Sequence, residues 1–300
     1  MNQHLDVAEQ WSQAPQTSTD FYAHSNISVY EISATPQRAM HLPVHPGSML
    51  RGAFGHALLD RYCLCSDTAE HDPSCIYQHL FEGQRADSQD GIPALVISPV
   101  DAGRTLQHGE LFRFRLTLIG LSDILAQAVL SALNTALARG LGDKQVPCHV
   151  HSIRSVLSQV NLAYRGVRVS LTTPWLVKHR GKQLNADQLR LHDVIIALAQ
   201  RQRKVARHFG LSFDLPDNHT LLALADRLPC TVSLREVSWL RQSSRQGRKH
   251  PLRGVMGFME TGRIGQEDAD ILGSVLANGV ALHGGGKTSF GLGGLAVSSL

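Results

Sequence analysis

A glycine-rich string near the C-terminus is the part of the sequence best suited to holding a phosphate. Residues 283–293 read His-Gly-Gly-Gly-Lys-Thr-Ser-Phe-Gly-Leu-Gly. Glycines let a phosphate approach the backbone N–H groups closely, and Lys287 adds a fixed positive charge. The string is not a nucleotide-binding P-loop, because Ala281 replaces the first glycine of that motif and a helical pattern precedes it. A phosphodiester backbone is the expected partner, and a glycine-rich turn without a ligand is the alternative. The residues expected to contact it are Gly284, Gly285, Gly286, Lys287, Ser289, Gly291 and Gly293.

A second segment, residues 235–253, concentrates positive charge. It holds six basic residues against Glu236 alone, a local net charge of +5, which leaves −1 for the rest of the chain. Arginine guanidinium groups pair with phosphate oxygens, so a basic loop between two strands suits a polyanion. A solvated loop without a ligand is the alternative. The residues expected to bind the polyanion are Arg241, Arg245, Arg248 and Lys249.

Three of the five cysteines, Cys63, Cys65 and Cys75, lie close together in the sequence. With His71 or His79 they could form a structural zinc site. The spacing argues against it, because one residue separates the first two cysteines where zinc sites usually have two to four. We therefore expect buried thiols and no required cofactor, with zinc as the weaker alternative. An odd, bunched set of cysteines also argues against a disulfide framework and favours a reducing cytoplasm.

Composition limits the class of protein. The chain has 300 residues, of which 43% are hydrophobic, enough for two domains of ordinary size. The net charge is +4, and the 18% of charged residues is below the roughly 25% of an average soluble chain, which excludes disorder and histone-like wrapping of nucleic acid. No apolar run approaches the roughly 20 residues of a membrane span. Residues 1–20 are polar, unlike a signal peptide. We expect a soluble cytoplasmic protein with no membrane partner and a mobile lead-in over residues 1–20.

The hydrophobic patterns predict the elements that must position these residues, in the same order in both halves. The first half predicts strand 27–35, a helix from a Ser48 N-cap to Tyr62, strands 94–99 and 111–119, a helix from a Ser122 N-cap to Gly140, and strand 146–157. The second half predicts strand 168–177, helix 186–209, strands 231–240 and 254–260, helix 268–282 and strand 289–297. This order indicates an α+β protein of two tandem ferredoxin-like (βαββαβ, RRM-like) domains. They cover residues 21–158, with a cysteine-containing insert at 63–90, and residues 166–300.

Characteristic segments occur in both halves. Residues 46–58 read Pro-Gly-Ser-Met-Leu-Arg-Gly-Ala-Phe-Gly-His-Ala-Leu, and 75–82 read Cys-Ile-Tyr-Gln-His-Leu-Phe-Glu. Residues 239–246, 251–258 and 282–294 follow in the second half, with shorter matches at 140–143 and 172–175. Together these segments resemble the repeat-associated endoribonucleases of the RAMP superfamily, which process CRISPR precursor RNA. The resemblance implies paired ferredoxin-like domains, RNA binding specific for a sequence or hairpin, and retention of the product in a ribonucleoprotein effector complex.

The resemblance also implies a reaction. The RNA 2′-hydroxyl attacks the adjacent phosphate without a metal ion and leaves a 2′,3′-cyclic phosphate and a 5′-hydroxyl. This chemistry needs a base, an acid and donors that hold the extra charge, and histidine suits proton transfer because its ordinary pKa is about 6.5. The family's catalytic histidine commonly lies on or beside the first helix. That position implies His56, His45 or His41 here, with Tyr30 as an auxiliary group.

His56 is favoured at this stage. It is predicted to project from a rigid helix, next to Gly55 and four residues beyond Gly52, where a phosphate could approach closely. An interface or half-buried role is the alternative. Some relatives rely on arginines, which keeps Arg38 and Arg51 as alternatives. We expect Arg51 to contact phosphate or the partner domain, because arginine stays charged.

The sequence therefore predicts an endoribonuclease that cleaves CRISPR precursor RNA within its repeats as part of antiviral defence. It is expected to stay bound to the 3′ hairpin of the CRISPR RNA with other effector-complex subunits, and to be monomeric when free. One alternative is a catalytically silent RNA-binding subunit of such a complex. A weaker one is the related non-processing backbone subunit at the other end of the complex.

Overall fold

The computed structural model describes residues 27–65, 71–72, 75–83, 92–156, 160, 162, 165–242 and 249–300. The predicted lead-in, residues 1–20, lies outside the described residues, as do parts of the insert 63–90 and of the stretch between the two halves. The side chains of residues 240–242 and 249–250 are also outside the description.

The first half forms a four-stranded antiparallel sheet covered on one face by two long helices. Its elements are β1 (Ile27–Pro36), β2 (Met40–Leu42), α1 (Gly47–Tyr62), a π-helical turn (Gln78–Glu82), β3 (Leu95–Pro99), β4 (Arg104–Leu106), β5 (Phe112–Ile119), α2 (Asp123–Arg139) and β6 (Cys148–Ser155). The strand order is β3-β5-β1-β6, and β2 pairs separately with β4. Every second side chain of β1 and β5, such as Ile32 and Phe114, points into a core with Phe54 and Leu58 of α1.

The second half repeats this topology. Its elements are β7 (Val167–Trp175), β8 (Lys178–His179), β9 (Lys182–Gln183), α3 (Leu191–Phe209), α4 (Asn218–Arg227), β10 (Cys230–Gln242), β11 (Lys249–Thr261), α5 (Gln266–Leu282), a 3₁₀ turn (Thr288–Phe290) and β12 (Leu295–Ser299). The sheet order is β10-β11-β7-β12, which matches the first sheet strand for strand. This arrangement of strands 2-3-1-4 with two crossing helices confirms the predicted class of two tandem ferredoxin-like domains.

The structure corrects several element boundaries. The N-cap of α1 is Pro46, whose carbonyl accepts from Leu50 N at 3.0 Å, so Ser48 lies inside the helix and does not cap it. Ser122 does cap α2, by accepting from Leu125 N. Helix α3 begins at Leu191 rather than at residue 186, because Asn185 and Gln188 close a turn before it.

The last strand was predicted wrongly at its start. Thr288–Phe290 form a 3₁₀ turn, and Gly291 and Gly293 adopt left-handed backbone conformations that no strand contains. The strand therefore begins only at Leu295. The structure also adds helix α4, which the hydrophobic pattern did not indicate and which is capped by the Asp217 carboxylate.

The two halves pack against each other through the face of the first sheet that its own helices leave open. Ile27 and Val29 of β1 and Ile119 of β5 form one apolar cluster with Ala281 and Leu282 at the end of α5. A side-chain hydrogen bond from Thr117 Oγ1 to Ala281 O, 3.0 Å long, crosses the same boundary. In the described part of the chain, no helix is long and apolar enough to cross a membrane.

Candidate functional site

A cavity of about 290 Å³ lies where the two halves meet. Both halves supply its walls, and the polar side chains among them are His45, Ser98, Arg115, Thr172, Thr173 and His283. Clefts between domains are a common place for a ligand, because groups from two rigid bodies converge there.

His45 is the histidine of this cavity with the properties of a general base. It lies between β2 and α1, and its half-buried imidazole contacts the indole of Trp239 on β10, with ring centroids 4.5 Å apart. Burial lowers the pKa of His45 below the usual imidazole value, because it disfavours the charged form. The ring is therefore neutral at pH 7 and able to accept a proton.

Arg115 places a positive charge on the cavity wall. Its Nε donates to Glu31 Oε2 at 3.1 Å, and its side chain is 40% exposed. A guanidinium has five N–H donors, so Arg115 can bind an anion in the cavity while its ion pair with Glu31 remains intact.

His283 also lines the cavity, but both of its ring nitrogens are hydrogen-bonded within the protein, so its role is structural. Its Nδ1 donates to Leu292 O at 3.0 Å, which leaves Nε2 to accept from the Ser98 hydroxyl at 2.6 Å. Complete burial lowers the pKa of His283 to about 4, so the ring stays neutral. From the sequence, His283 is recognisable only as part of the glycine string, and no sequence pattern marks its partner, Ser98.

The glycine string is folded tightly on itself and on β7. The amide of Gly284 donates to Gly293 O, that of Gly286 to Leu176 O and that of Gly293 to Pro174 O, each at 2.9 Å. A Cβ on Gly284 would lie 2.5 Å from the Trp175 ring. These glycines therefore allow close packing, and their amides are occupied within the protein.

The other residues of the string differ in their surroundings, since two of them lie where the halves meet and two lie further out. The Gly291 amide donates to Thr288 O at 2.9 Å, and Gly291 itself lines the cavity. Ser289 offers its carbonyl to Arg51. Gly285 is partly buried, and Lys287 is exposed on the outer edge of the string.

Arg51 connects the two halves. Its guanidinium carbon lies 4.5 Å from the centroid of the Phe81 ring and 4.8 Å from that of Phe290. Its N–H groups donate to Phe81 O at 2.6 Å and to Ser289 O at 3.4 Å. Of the two roles expected for Arg51, contact with the partner half is the one that the structure shows.

Four of the candidate catalytic residues lie away from the cavity lining. His56 is exposed on α1, and His41 is exposed on β2, with Nδ1 3.3 Å from Thr105 Oγ1. Arg38 donates to Lys144 O at 2.7 Å. Tyr30 packs on the core of the first half, where burial raises the pKa of its hydroxyl. Only His45 of the predicted catalytic residues is brought to the cleft.

The basic segment extends the hairpin of β10 and β11, which pairs as far as Gln242 with Lys249. Residues 243–248, which include Arg245 and Arg248, lie outside the described residues, as do the side chains of Arg241 and Lys249. In the described part of the hairpin, Arg235 and Arg253 are exposed. Trp239, which the sequence analysis did not single out as a site residue, lies on the same hairpin.

The cysteine-containing insert brings together Cys63, Cys65, Cys75 and His71, whose ligand atoms all lie within 4.8 Å of one another. Of the two histidines expected as a fourth ligand, His71 belongs to this group and His79 does not. The His79 ring instead contacts that of Phe209 edge-on, at 5.8 Å.

Comparison with known proteins extends over both halves. A family described as AF_1859_N, N-terminal domain, matches residues 25–172. Among solved structures, a Cas6 product complex superposes with a TM-score of 0.56 at 20% identity, covering 92% of this chain and 100% of the other. The fold is that of the Cas6 structures. Thermus thermophilus Cas6 gives a TM-score of 0.54 at 14% identity, covering 92% and 100%. A Cas6-related protein from Pyrococcus furiosus superposes with a TM-score of 0.53 at 13% identity, covering 91% of this chain and 98% of the other. No curated protein matches the chain.

Proposed function

We propose that this protein is a metal-independent endoribonuclease that cleaves CRISPR precursor RNA within its repeats. The fold shared with Cas6 structures supports the assignment, since one of those proteins is described as a product complex. The observation that carries the catalytic part is the position of His45, a neutral, half-buried imidazole in the cleft between the halves.

In this proposal His45 takes the proton from the RNA 2′-hydroxyl. General base catalysis needs an unprotonated group beside the reacting atom, and burial keeps His45 in that form at neutral pH. His56 has the right chemistry but is exposed on α1 and does not line the cavity. We therefore assign the base to His45 rather than to His56.

The leaving 5′-oxygen takes its proton from a water molecule, and the hydroxide formed is neutralised by the proton that His45 took from the 2′-hydroxyl. The surrounding residues hold the charge and the RNA. Arg115 is placed to hold the non-bridging phosphate oxygens, whose negative charge grows as the 2′-oxygen attacks. The exposed Thr172 hydroxyl lines the same wall. Trp239 offers an aromatic ring on which a flanking base could stack. The basic hairpin and Lys287 then extend the phosphate contacts along the RNA, which suits retention of the 3′ hairpin in an effector complex.

The experiment is cleavage of the cognate repeat RNA by the full chain in EDTA. Expected products carry a 2′,3′-cyclic phosphate and a 5′-hydroxyl, identified by mass spectrometry. The matched control is the same RNA with a single 2′-deoxy nucleotide at the cleavage site, which should bind equally but remain intact.

Cleavage of the 2′-deoxy substrate, or strict dependence on a divalent ion, would overturn the mechanism. Tight binding of repeat RNA without cleavage would instead support the catalytically silent subunit, for which the same hairpin and cleft provide the binding surface. Absence of selective repeat binding would contradict both functions.

A further inference from the structure

The insert between α1 and the π-helical turn gathers three thiols and one imidazole. Cys63 is the residue at which α1 ends, Cys65 follows two positions later, and Cys75 precedes the π-helical turn. His71 and Cys75 are buried, and Cys63 and Cys65 are partly buried. The group thus forms an inward-facing cluster at the junction of two helical elements.

Three of the six distances between ligand atoms in the cluster are close to the edges of a small tetrahedron, and all six are within 4.8 Å. Cys63 Sγ lies 3.8 Å from Cys75 Sγ, and His71 Nδ1 lies 3.4 Å and 3.8 Å from those two sulfur atoms. Zinc bonds of about 2.3 Å to sulfur and 2.0–2.1 Å to nitrogen in tetrahedral geometry give edges of about 3.5–3.8 Å. A ligand set spread around a multi-iron cluster would be much wider, and a disulfide would hold its two sulfur atoms about 2 Å apart.

One backbone group also points at the cluster, since the N–H of Asp72 donates to Cys65 Sγ at 3.4 Å. Zinc binds the thiolate form of cysteine, and N–H donors to the ligating sulfur are a common feature of the groups that surround such sites.

We propose that Cys63, Cys65, Cys75 and Nδ1 of His71 bind one Zn²⁺ ion as a structural Cys₃His site. Soft thiolates with one imidazole in tetrahedral array select zinc among the common divalent ions. With four protein ligands the coordination is complete and has no open position for a substrate, so this ion takes no part in RNA cleavage.

The position of the cluster gives the ion a structural task. The His71 ring contacts Tyr77 at 4.9 Å, and Tyr77 stacks on Phe81 at 5.0 Å. Phe81 in turn contacts Arg51, which reaches Phe290 of the second half. A bound ion would therefore fix the end of α1 to the π-helical turn and so hold the Phe81 side of the contact between the halves.

The test is the metal content of the purified full-length protein. Inductively coupled plasma mass spectrometry should find one equivalent of zinc, reduced at least fivefold in Cys75→Ser and in His71→Ala. The matched controls are Cys230→Ser and His79→Ala, which change the same residue types outside the cluster and should retain the full equivalent. His71→Cys replaces one zinc ligand by another and should also retain it.

A measurement on the unaltered chain covers the case in which a variant fails to fold. Exchange of the metal for Co²⁺ should give the intense visible bands of tetrahedral cobalt with thiolate charge-transfer absorption. The proposal is overturned if the wild-type protein contains no zinc and gives no such spectrum on reconstitution. It is overturned equally if the controls lose as much zinc as Cys75→Ser.

Discussion

The imidazole of His45 and the indole of Trp239 are in ring contact, 4.5 Å between centroids, although they come from different halves of the chain. His45 leads into the first helix, and Trp239 lies on the long hairpin of the second sheet. Neither half alone could bury the imidazole in this way. The state of the proposed base is therefore a property of the assembled pair of domains.

Replacing His45 tests this assignment directly. His45→Ala should lower the single-turnover cleavage rate by about 10²–10⁴-fold, the usual contribution of a positioned acid–base group, with little change in RNA affinity. His56→Ala is the matched control on the adjoining helix, and His41→Ala and Arg38→Ala extend it. Equal losses in His45→Ala and His56→Ala would contradict the assignment.

The Trp239 contact should appear in the pH dependence of cleavage. Burial lowers the pKa of His45, so the wild-type rate should fall only below the ordinary imidazole value of about 6.5. Trp239→Ala exposes the His45 imidazole to water, which stabilises its charged form and raises its pKa. The acidic limb, the pH range in which the cleavage rate falls, should therefore move to higher pH. Trp239→Phe should leave the limb near its wild-type position. Single-turnover rates with all RNA bound do not depend on affinity. They therefore report the change in the His45 pKa separately from any loss of stacking between Trp239 and an RNA base. An unchanged limb in Trp239→Ala would show that this ring does not control the proton.

Two glycines of α1 form a pair for testing the contact between the halves. A Cβ on Gly47 would lie 2.2 Å from Phe290 O, whereas a Cβ on Gly52 would meet nothing within 4 Å. Gly47→Ala should therefore destabilise the protein by about 1–3 kcal/mol, as overpacking does. Gly52→Ala should stabilise it by roughly 0.5–1 kcal/mol, because alanine is the better helix former. Thermal unfolding midpoints measure both. A midpoint for Gly47→Ala equal to that of the wild type would show that the backbones do not approach so closely in solution.

His283 should make the protein sensitive to acid. Its pKa is about 4 in the folded state and about 6.5 in the unfolded chain, so the unfolded state binds more protons between these values. Stability should fall as the pH drops from 6.5 towards 4, by on the order of 3 kcal/mol in total from this residue.

The variant His283→Gln isolates that contribution. It should be less stable than the wild type at pH 7, because the imidazole that is hydrogen-bonded to both Ser98 and Leu292 is lost. Its stability should nevertheless change less than that of the wild type between pH 6.5 and 4. His56→Ala, on the exposed face of α1, should keep the wild-type slope. Denaturant unfolding at a series of pH values provides the comparison, and parallel curves for wild type and His283→Gln would disprove this source of acid sensitivity.

The repeated strand and helix pattern was sufficient to predict the fold class, because each element carries its own periodicity and caps. Ser122 and the hydrophobic stripe behind it fix α2 locally. The start of the last strand could not be predicted in this way. The left-handed glycines Gly291 and Gly293 pack against Ile97 O and Gly284 O, and Ile97 belongs to the other half of the chain.

The site was predictable only in part. Motif position indicated three histidines near the first helix, but choosing among them requires knowledge of which side of that helix meets the second half. Trp239, Arg115 and Ser98 carry no local signal, because their roles arise from packing between the halves. For the cysteine cluster, spacing alone argued against zinc and left His71 and His79 as equal candidates, whereas the folded loop brings His71 to the thiols.

At two points between the halves main chain packs on main chain, because a Cβ on Gly47 would lie 2.2 Å from Phe290 O and one on Gly291 would lie 2.3 Å from Ile97 O. The peptide backbone has the same shape whatever residues flank it. At these two points the contact requires only that the two glycines carry no side chain. Elsewhere the contact is made by side chains, among them the lining pair Ser98 and His283. Under the proposed function, RNA preference is therefore best altered at lining residues such as Thr172, with both glycines and this pair left unchanged.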